Sequence, residues 1–574
     1  MLSLKLQNEL FKLAREHYQL KPIEVEVVPT RDMAHGDFTS NVAMKVASRW
    51  GVTPRVAGET LLQALNASKV ITRICAKVEI AGAGFINFYL KPEILLSILP
   101  ELTKKENLFK AQKIIVEYSS PNIAKPMHIG HIRSTIIGEA VANLYEQLGA
   151  KVIRLNHLGD WGTQFGKLIA AYKMWGSKSD VHKNPIDELL KLYVRFHEEM
   201  KINSELEKKG QDEFRKLEQG DKTNRALWNW FKKESLREFD KIYKRLGIKF
   251  TALTGESFYE AKLTPLVREL LKRKIAKQNA DGSIVVHLEK ESLPPCLVQK
   301  SDGASLYATR DLATINYRVV HYKPAQILYV VGNEQSLHFE QVYAVARRLG
   351  YVGSTQLEHI KFGTILGDDG HKFATREGKL IRLEEVLAEA VTRARAIIEA
   401  KNSKLPTKIK EQVAEAVGVG ALKYNDLSQN RQTDITFSWD KMLSLSGNSS
   451  PYLQYSYVRL QSILRKGGRV KGAGGRVKLD KNILNNLTAS DLNVLRILIR
   501  YPEAIMQAAR ENGPHLLAQY LYDLANAINS FYQNSPVLQA REPLKSFRLG
   551  LIKTVAEVLA QGLGILGIKV VERM

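Results

Sequence analysis

The 574-residue sequence predicts an α/β multidomain protein: a parallel-sheet core, preceded by a small α+β domain and followed by an all-α bundle. Three observations predict it. The apolar run Ile114-Ile115-Val116 passes through a loop into a helical pattern over 132–148, and Val152-Ile153 then resumes a strand, a βαβ unit that seeds a parallel sheet. From about residue 405 onward the apolar spacing is almost wholly helical, as in a bundle. At ~150 residues per domain the length allows about four domains and excludes a single small one.

Residues 1–110 read as the small α+β domain. They hold a first amphipathic helix, a polar turn His35-Gly36-Asp37-Phe38, a helix over 41–50 and strands over 77–80 and 85–90. The lysine-rich stretch 102–112 marks the exit. Residues 111–437 form the α/β core, with a highly charged helical insertion near 181–245. More of the sheet is expected at 283–287, 327–331 and 360–364, with a helix over 306–319. Residues 438–574 form the bundle. A basic loop, Arg465 to Lys481, interrupts it with seven basic residues, five glycines and one acid.

Composition narrows the function classes. With 44% hydrophobic and 25% charged residues the chain has apolar side chains for several cores, which excludes a disordered or collagen-like protein. Lys plus Arg number 84 against 60 Asp plus Glu, a net charge of +24, so a polyanionic partner is expected. Cys75 and Cys296 are the only cysteines and lie far apart in the chain, which excludes a disulfide framework and a Cys-x-x-Cys zinc site and fits reduced thiols. The N-terminus lacks the apolar run of a signal peptide. The most apolar long stretch, 549–571, is broken by Lys553, Glu557 and Gln561, so no membrane partner and a cytoplasmic location are expected.

The sharpest chemical signal is Pro121-Asn122-Ile123-Ala124-Lys125-Pro126-Met127-His128-Ile129-Gly130-His131, set between a buried strand and a helix start. A helix N-terminus presents unpaired N–H groups and the positive end of its dipole, which suits phosphate. His128 and His131, three apart, bring both imidazoles to one side of the first turn. Gly130 between them leaves bare backbone for the flat face of an adenosine. The crevice at the carboxyl ends of parallel strands is where such a ligand lies. In isolation an H-x-x-H pair reads as two satisfied histidines or a metal pair; the strand, helix and lysine around it favour a nucleotide.

The segment from Glu117-Tyr118-Ser119-Ser120-Pro121-Asn122 through His128-Ile129-Gly130-His131-Ile132-Arg133-Ser134 resembles the H-I-G-H signature of class I aminoacyl-tRNA synthetases in the form carried by the arginyl family. Further blocks resemble that family in the same order: Asn156-His157-Leu158-Gly159-Asp160-Trp161, Leu306-Tyr307-Ala308-Thr309-Arg310-Asp311, Pro451-Tyr452-Leu453-Gln454-Tyr455 and Gly564-Ile565-Leu566-Gly567-Ile568. The resemblance implies a Rossmann-type catalytic core, an N-terminal tRNA-binding domain and a C-terminal helical anticodon-binding domain. It implies ATP-dependent activation of L-arginine to arginyl adenylate and transfer to the 3′ end of tRNA(Arg), by a monomer.

Site residues follow from the same resemblance. His128, Gly130, His131, Lys125 and Lys372 are expected to be catalytic, and Pro121, Met127, His128, Gly130, His131, Lys372 and Phe373 to meet ATP. The run Lys372-Phe373-Ala374-Thr375-Arg376-Glu377-Gly378 follows a Gly367-Asp368-Asp369-Gly370 turn and takes the place of the second signature, K-M-S-K-S. Thr375 stands where its second lysine falls, and Lys125 is expected to substitute. Read alone, that run is a polar hairpin exit. Mg2+ is implied by ATP chemistry, with no protein carboxylate cage identified.

Selecting arginine calls for a carboxylate against a guanidinium. Tyr307 and Asp311, four apart on a predicted helix, face one pocket. By resemblance Asp311, Tyr307 and Glu256 hold the guanidinium, Asn122, Ser119 and Gln335 hold the amino-acid backbone groups, and Glu117 orients the site. For RNA, phosphates call for cations and unstacked bases for aromatic rings. The resemblance places anticodon recognition in the C-terminal bundle, where Tyr452, Gln454, Tyr455, Tyr457, Arg459, Tyr520, Asn526, Tyr532 and Gln533 are the expected contacts, and contact with the tRNA elbow in the N-terminal domain, where Phe38 and Asn41 are expected. Tyr520 also follows helical spacing with Leu524, Ile528 and Phe531, and these four read rather as core. Two rivals remain: a class I relative for another amino acid, of which the cysteinyl type lacks its paired cysteines here, and an RNA-binding paralogue with a dead site, countered by intact His128, Gly130, His131 and Lys125. The G-x-G-x-x-G match at Gly562 to Gly567 ends a helix and is read as no dinucleotide site.

Overall fold

The computed structural model describes residues 1–18, 25–30, 32–367, 370–371, 381–468 and 481–574. Lys372 and Phe373, together with most of the basic loop at 465–481, lie outside the described residues. Five parallel strands make the central sheet: β1 (Lys113–Glu117), β2 (Lys151–Asn156), β3 (Ala252–Leu253), β4 (Gln326–Gly332) and β5 (Gln356–Phe362). They lie in the order β5-β4-β1-β2-β3. Ile114, Ile115 and Val116 on β1 and Ile327, Leu328, Tyr329 and Val330 on β4 are all buried. Such continuous apolar runs mark strands covered on both faces, which is why these two are central. The helix Gly130–Gln147 makes the crossover from β1 to β2. Strand order reverses between β1 and β4, so their carboxyl ends open onto a crevice.

Two expectations for the sheet change. Residues 283–287 do not join it; Ile284–Val286 is the middle strand of a separate antiparallel sheet with Lys277–Gln278 and Cys296–Gln299. The turn before it explains this. Gly282 at φ 89° and the Asp281 carboxylate, which accepts from the Ser283 N–H (2.9 Å) and hydroxyl (2.7 Å), fold the strand onto its sequence neighbour, with no helix between them to make a parallel crossover. Strand β3 was not expected at all, being too short to carry a period.

The N-terminal domain is a four-stranded antiparallel sheet, Val28–Pro29, Phe38–Ser40, Phe85–Leu90 and Cys75–Ala81 in spatial order, covered by helices that include Leu2–Tyr18, Val42–Trp50 and Pro54–Ala67. It docks on the C-terminal helices through polar anchors. Buried Asp37 accepts from the Leu90 N–H at 2.7 Å and pairs with Arg496 at 3.2 Å, and Arg500 donates to the Thr30 carbonyl at 2.9 Å. The charged insertion is four helices, Lys178–Lys183, Pro185–Ile202, Glu205–Glu218 and Lys222–Leu246. Among the described residues beyond 405 the regular elements are helices apart from the strand Ile435–Thr436, which pairs in parallel with Ile365–Leu366. Tyr520, Leu524, Ile528 and Phe531 are buried along Pro514–Asn534. Among the described residues no helix is long and apolar enough to cross a membrane.

Candidate active site

The segment leaving β1 carries three non-glycine residues in left-handed backbone, Ser119 (φ 75°), Ser120 (φ 49°) and Ala124 (φ 61°). That conformation is costly for L-residues and persists only where surroundings over-determine it. Each strained residue is tied down by a side chain from elsewhere: the Ser119 N–H to Ser134 Oγ at 2.9 Å, the Ser120 N–H to Asn156 Oδ1 at 3.1 Å, and the Ala124 N–H to Ser235 Oγ at 2.9 Å. The Ser119 hydroxyl is itself buried, 2.8 Å from Tyr243 Oη and 3.0 Å from Thr135 Oγ1. Asn122 stands over Gly159, where an added Cβ would lie 1.8 Å from Asn122 Oδ1. Pro121 closes this approach by accepting from the Gly159 N–H at 3.2 Å.

At the helix start the two imidazoles meet, with ring centroids 3.9 Å apart. The His128 N–H donates to His131 Nδ1 at 3.1 Å, and the Gly130 N–H to His128 Nδ1 at 3.1 Å. A neutral ring that accepts at Nδ1 carries its proton on Nε2. Burial lowers both groups, His131 to about 4 with His128 adding to the effect, so both rings are neutral at pH 7. Gly130 is required by the ring beside it: an added Cβ would lie 2.9 Å from His128 Cε1. The expected row of unpaired N–H groups is absent, because the tight turn consumes them. The Ile129 N–H donates to the Ile381 carbonyl, His131 to His128 and Ile132 to Ile129, at 2.9 to 3.1 Å. An anion here meets imidazole N–H groups and the helix dipole rather than bare amides.

Ile381 belongs to the exit from the second signature run. His128 bridges antiparallel to Arg382, and the Leu383 N–H donates to the Met127 carbonyl at 2.9 Å, so the first signature is joined main chain to main chain to residues 381–383. Met127 is buried, and Arg382 reaches the insertion through Asp187 at 2.6 Å. The exposed Lys125 holds its Nζ over the Tyr193 ring of the insertion, 5.4 Å from the centroid. The Gly370 N–H donates to the Gly367 carbonyl and the Gly367 N–H to the His371 carbonyl.

Of the expected arginine residues, Glu117 ends β1 with Ser119 and Asn122 just beyond it, Glu256 follows β3, Gln335 follows β4, and Tyr307 and Asp311 open the helix Tyr307–Tyr322. Glu117 is buried and paired with Arg318, whose guanidinium lies 5.5 Å from the Tyr329 ring, so this carboxylate has an internal cation as its partner. Burial pushes the Glu256 carboxyl up to about 7, against the pull of Arg310. Asp311 accepts from His338 at 2.6 Å. Tyr307 is 68% exposed at its helix start, with Arg310 5.9 Å from its ring. Gln335 is exposed immediately before the helix Ser336–Arg348.

With this geometry in view, the comparisons decide the family. A model described as "tRNA synthetases class I (R), catalytic domain" matches residues 95–439, one for the arginyl-tRNA synthetase N-terminal domain matches 2–90, and one for the DALR anticodon binding domain matches 453–574. The chain belongs to the arginyl-tRNA synthetase family. It is 41% identical to the arginine–tRNA ligase of Fusobacterium nucleatum over 561 residues, covering 97% of this chain and 96% of that one. It is 40% identical to that of Clostridioides difficile over 578 residues, covering 99% and 98%. The crystal structure of the Plasmodium falciparum arginyl-tRNA synthetase aligns with TM-score 0.82 at 26% identity, covering 100% of this chain and 99% of that one. The Thermus thermophilus arginyl-tRNA synthetase, at 24% identity and TM-score 0.84, covers all of both chains and has the same fold.

On the faces where this family was expected to meet RNA, two residues must be corrected. Phe38 is fully buried: it starts a strand whose alternation turns it inward, opposite Phe88 in register. Gln454 is also fully buried, and its amide donates to the carbonyls of Ala416 (3.1 Å) and Lys569 (2.7 Å). Asn41, half-buried, precedes the helix Val42–Trp50. Tyr452 donates to Asn526 Oδ1 at 2.7 Å. Tyr455 is 47% exposed, Arg459 lies 4.9 Å from the Tyr532 ring, and Gln533 is exposed, so these four share the surface of the bundle.

Sequence reasoning passed over three residues that organise the site. Asp160 is wholly buried and binds the Ser257 N–H (2.9 Å), the Ser257 hydroxyl (2.8 Å) and Lys232 Nζ (2.6 Å), which holds the turn bearing Glu256. Its signal was its place in the block 156–161. Arg133, two residues past His131, forks onto buried Asp426 at 2.9 and 3.2 Å. The third is His338, three residues past Gln335.

Proposed function

We propose that the chain is an arginine–tRNA ligase whose site works by position and electrostatics. The arginine carboxylate attacks the α-phosphorus of ATP, a P–O bond forms and pyrophosphate leaves. A terminal ribose hydroxyl of tRNA(Arg) then attacks the adenylate carbonyl and AMP leaves. Negative charge grows on the phosphate oxygens in the first step, and donors fixed beforehand stabilise it without reorganising. The observation that carries this reading is the close, tilted pair His128 and His131, both neutral and both with Nδ1 tied to backbone N–H, so that Nε2–H is the donor each ring presents.

Lys125 and Lys372 add positive charge to the phosphates, and Pro121, Met127, Gly130 and Phe373 shape the nucleotide site. Asp311, Glu256 and Tyr307 receive the guanidinium; Asn122, Ser119 and Gln335 receive the amino-acid backbone groups. Glu117 acts through its pair with Arg318 as an orienting group. Mg2+ arrives with the nucleotide as substrate; among the described residues no group of three or more His, Cys, Asp and Glu is placed to hold an ion. Residues 1–110 bind the tRNA body, 111–437 carry the chemistry, and 438–574 read the anticodon through Tyr452, Tyr455, Arg459, Tyr532 and Gln533. The protein works as a cytoplasmic monomer.

Pyrophosphate exchange with each amino acid, with and without tRNA, tests the reading. Exchange is expected with arginine alone and only when tRNA is present. Labelled arginine that never appears on tRNA would leave the RNA-binding paralogue as the better account.

A further inference from the structure

We propose that His338 is a positioning residue for arginine recognition, holding the Asp311 carboxylate in the orientation in which it meets the substrate guanidinium. The inference rests on the reading of Asp311 as a guanidinium partner. Asp311 lies in the second turn of the helix Tyr307–Tyr322, and His338 in the first turn of Ser336–Arg348, a helix packed against it. His338 Nε2 is 2.6 Å from Asp311 Oδ2, and the two side chains are 25% and 26% exposed. An ionised carboxylate only accepts, so Nε2 carries the proton. Among the described residues no hydrogen bond reaches Asp311 Oδ1, so one oxygen is anchored and the other is left without a protein partner.

The anchor is itself braced. The His338 ring packs edge-on against Phe339 at 5.6 Å, and Phe339 is buried against Tyr329 at 5.2 Å and His359 at 4.5 Å. A free aspartate turns about its terminal bond and must be ordered by each incoming ligand. Holding it beforehand removes that cost from binding. A histidine that merely filled the pocket in place of substrate would act with the opposite sign, since its removal would tighten arginine binding.

The test measures KM and kcat for arginine and for ATP, in tRNA-supported pyrophosphate exchange, for His338→Ala, His338→Gln, Asp311→Asn and the double variant His338→Ala/Asp311→Asn. His338→Ala is expected to raise the arginine KM about tenfold, the effect of losing one hydrogen bond to a charged group, with the ATP KM and kcat within about twofold. His338→Gln, whose amide donates to the same oxygen, is expected to restore most of the affinity, and the double variant to be no worse than Asp311→Asn. An unchanged or lowered arginine KM in His338→Ala overturns the inference, as do equal rises for arginine and ATP. If Asp311→Asn loses arginine and His338→Ala does not, the inference alone falls. If Asp311→Asn keeps its arginine affinity, the pocket reading falls and this inference with it.

Discussion

The backbone N–H of His128 donates to Nδ1 of His131 at 3.1 Å, and the two rings lie 3.9 Å apart. The main chain of His128 therefore locks the tautomer of His131, and the His128 ring is locked in turn by the N–H of Gly130. Two neutral donors are prepared in this way before any ligand arrives.

His131→Ala is expected to lower adenylate formation by a factor on the order of 10² to 10³, the usual effect of deleting one preorganised donor. Arginine-dependent pyrophosphate exchange reads it directly. A loss of less than about tenfold would remove His131 from the reacting centre.

Acid stability carries the same signature. The folded value for His131, about 4, lies below the ordinary 6.5 because the ring is buried and His128 stands beside it. The unfolded chain then binds more protons between those limits, so the stabilisation is present above about pH 6.5 and is lost as pH falls toward 4. Urea midpoints measured across that window should drop on acidification and drop less in His131→Gln. Equal slopes for the two proteins would contradict the burial of this ring.

Arginine affinity should strengthen with pH. Burial raises the Glu256 carboxyl to about 7, with Asp160, Asp311 and Glu260 adding to the rise and Arg310 opposing it. A carboxyl that is protonated at pH 6 pairs poorly with a guanidinium, so the arginine KM should fall between pH 6 and 8, by up to about tenfold for one proton released. Glu256→Gln should flatten the profile; a wild-type KM flat across this range would refute the assignment.

Gly159→Ala places a methyl where Asn122 Oδ1 would be 1.8 Å away. The backbone there is paired on both sides, from the Gly159 N–H to Pro121 and from the Ile123 N–H to the Gly159 carbonyl, so Asn122 must give way. The arginine KM is expected to rise at least tenfold while thermal stability changes by about 1–3 kcal/mol, the cost of overpacking. Normal arginine kinetics would show Asn122 to be dispensable for binding.

Arg133 and Asp426 are 1% and 3% exposed, and the guanidinium also donates to the carbonyls of Thr364, Thr433 and Arg431. Asp426→Ala leaves a buried cation unpaired and should destabilise the fold by about 3–5 kcal/mol in urea unfolding. Arg133→Met combined with Asp426→Leu should recover much of that loss. A single variant as stable as the parent would mean that water already reaches the pair.

Periodicity and motif reach only as far as local sequence. The helical stretches, β1 with its crossover helix, and the spacing that brings His128 and His131 together were legible because a strand's period, a helix's period and an i, i+3 pair are properties of a few consecutive residues. Strand β3 escaped because two residues carry no period, and 283–287 was misassigned because an apolar run looks alike in either kind of sheet. Phe38 and Gln454 were legible as an aromatic and an amide, yet their burial is set by a facing strand at Phe88 and by carbonyls at Ala416 and Lys569, far off in the chain.

The order of the segments, the basic character and the signature residues were thus written in the linear chain. Which carboxylate keeps an internal cation, Glu117 with Arg318, which one rests on a histidine, Asp311 with His338, and which amides at the helix start have lost their vacancy, were settled by folding. The reason is physical. Hydrogen-bond partners and desolvation depend on which distant side chains share a volume, and no local pattern of residues encodes that neighbourhood.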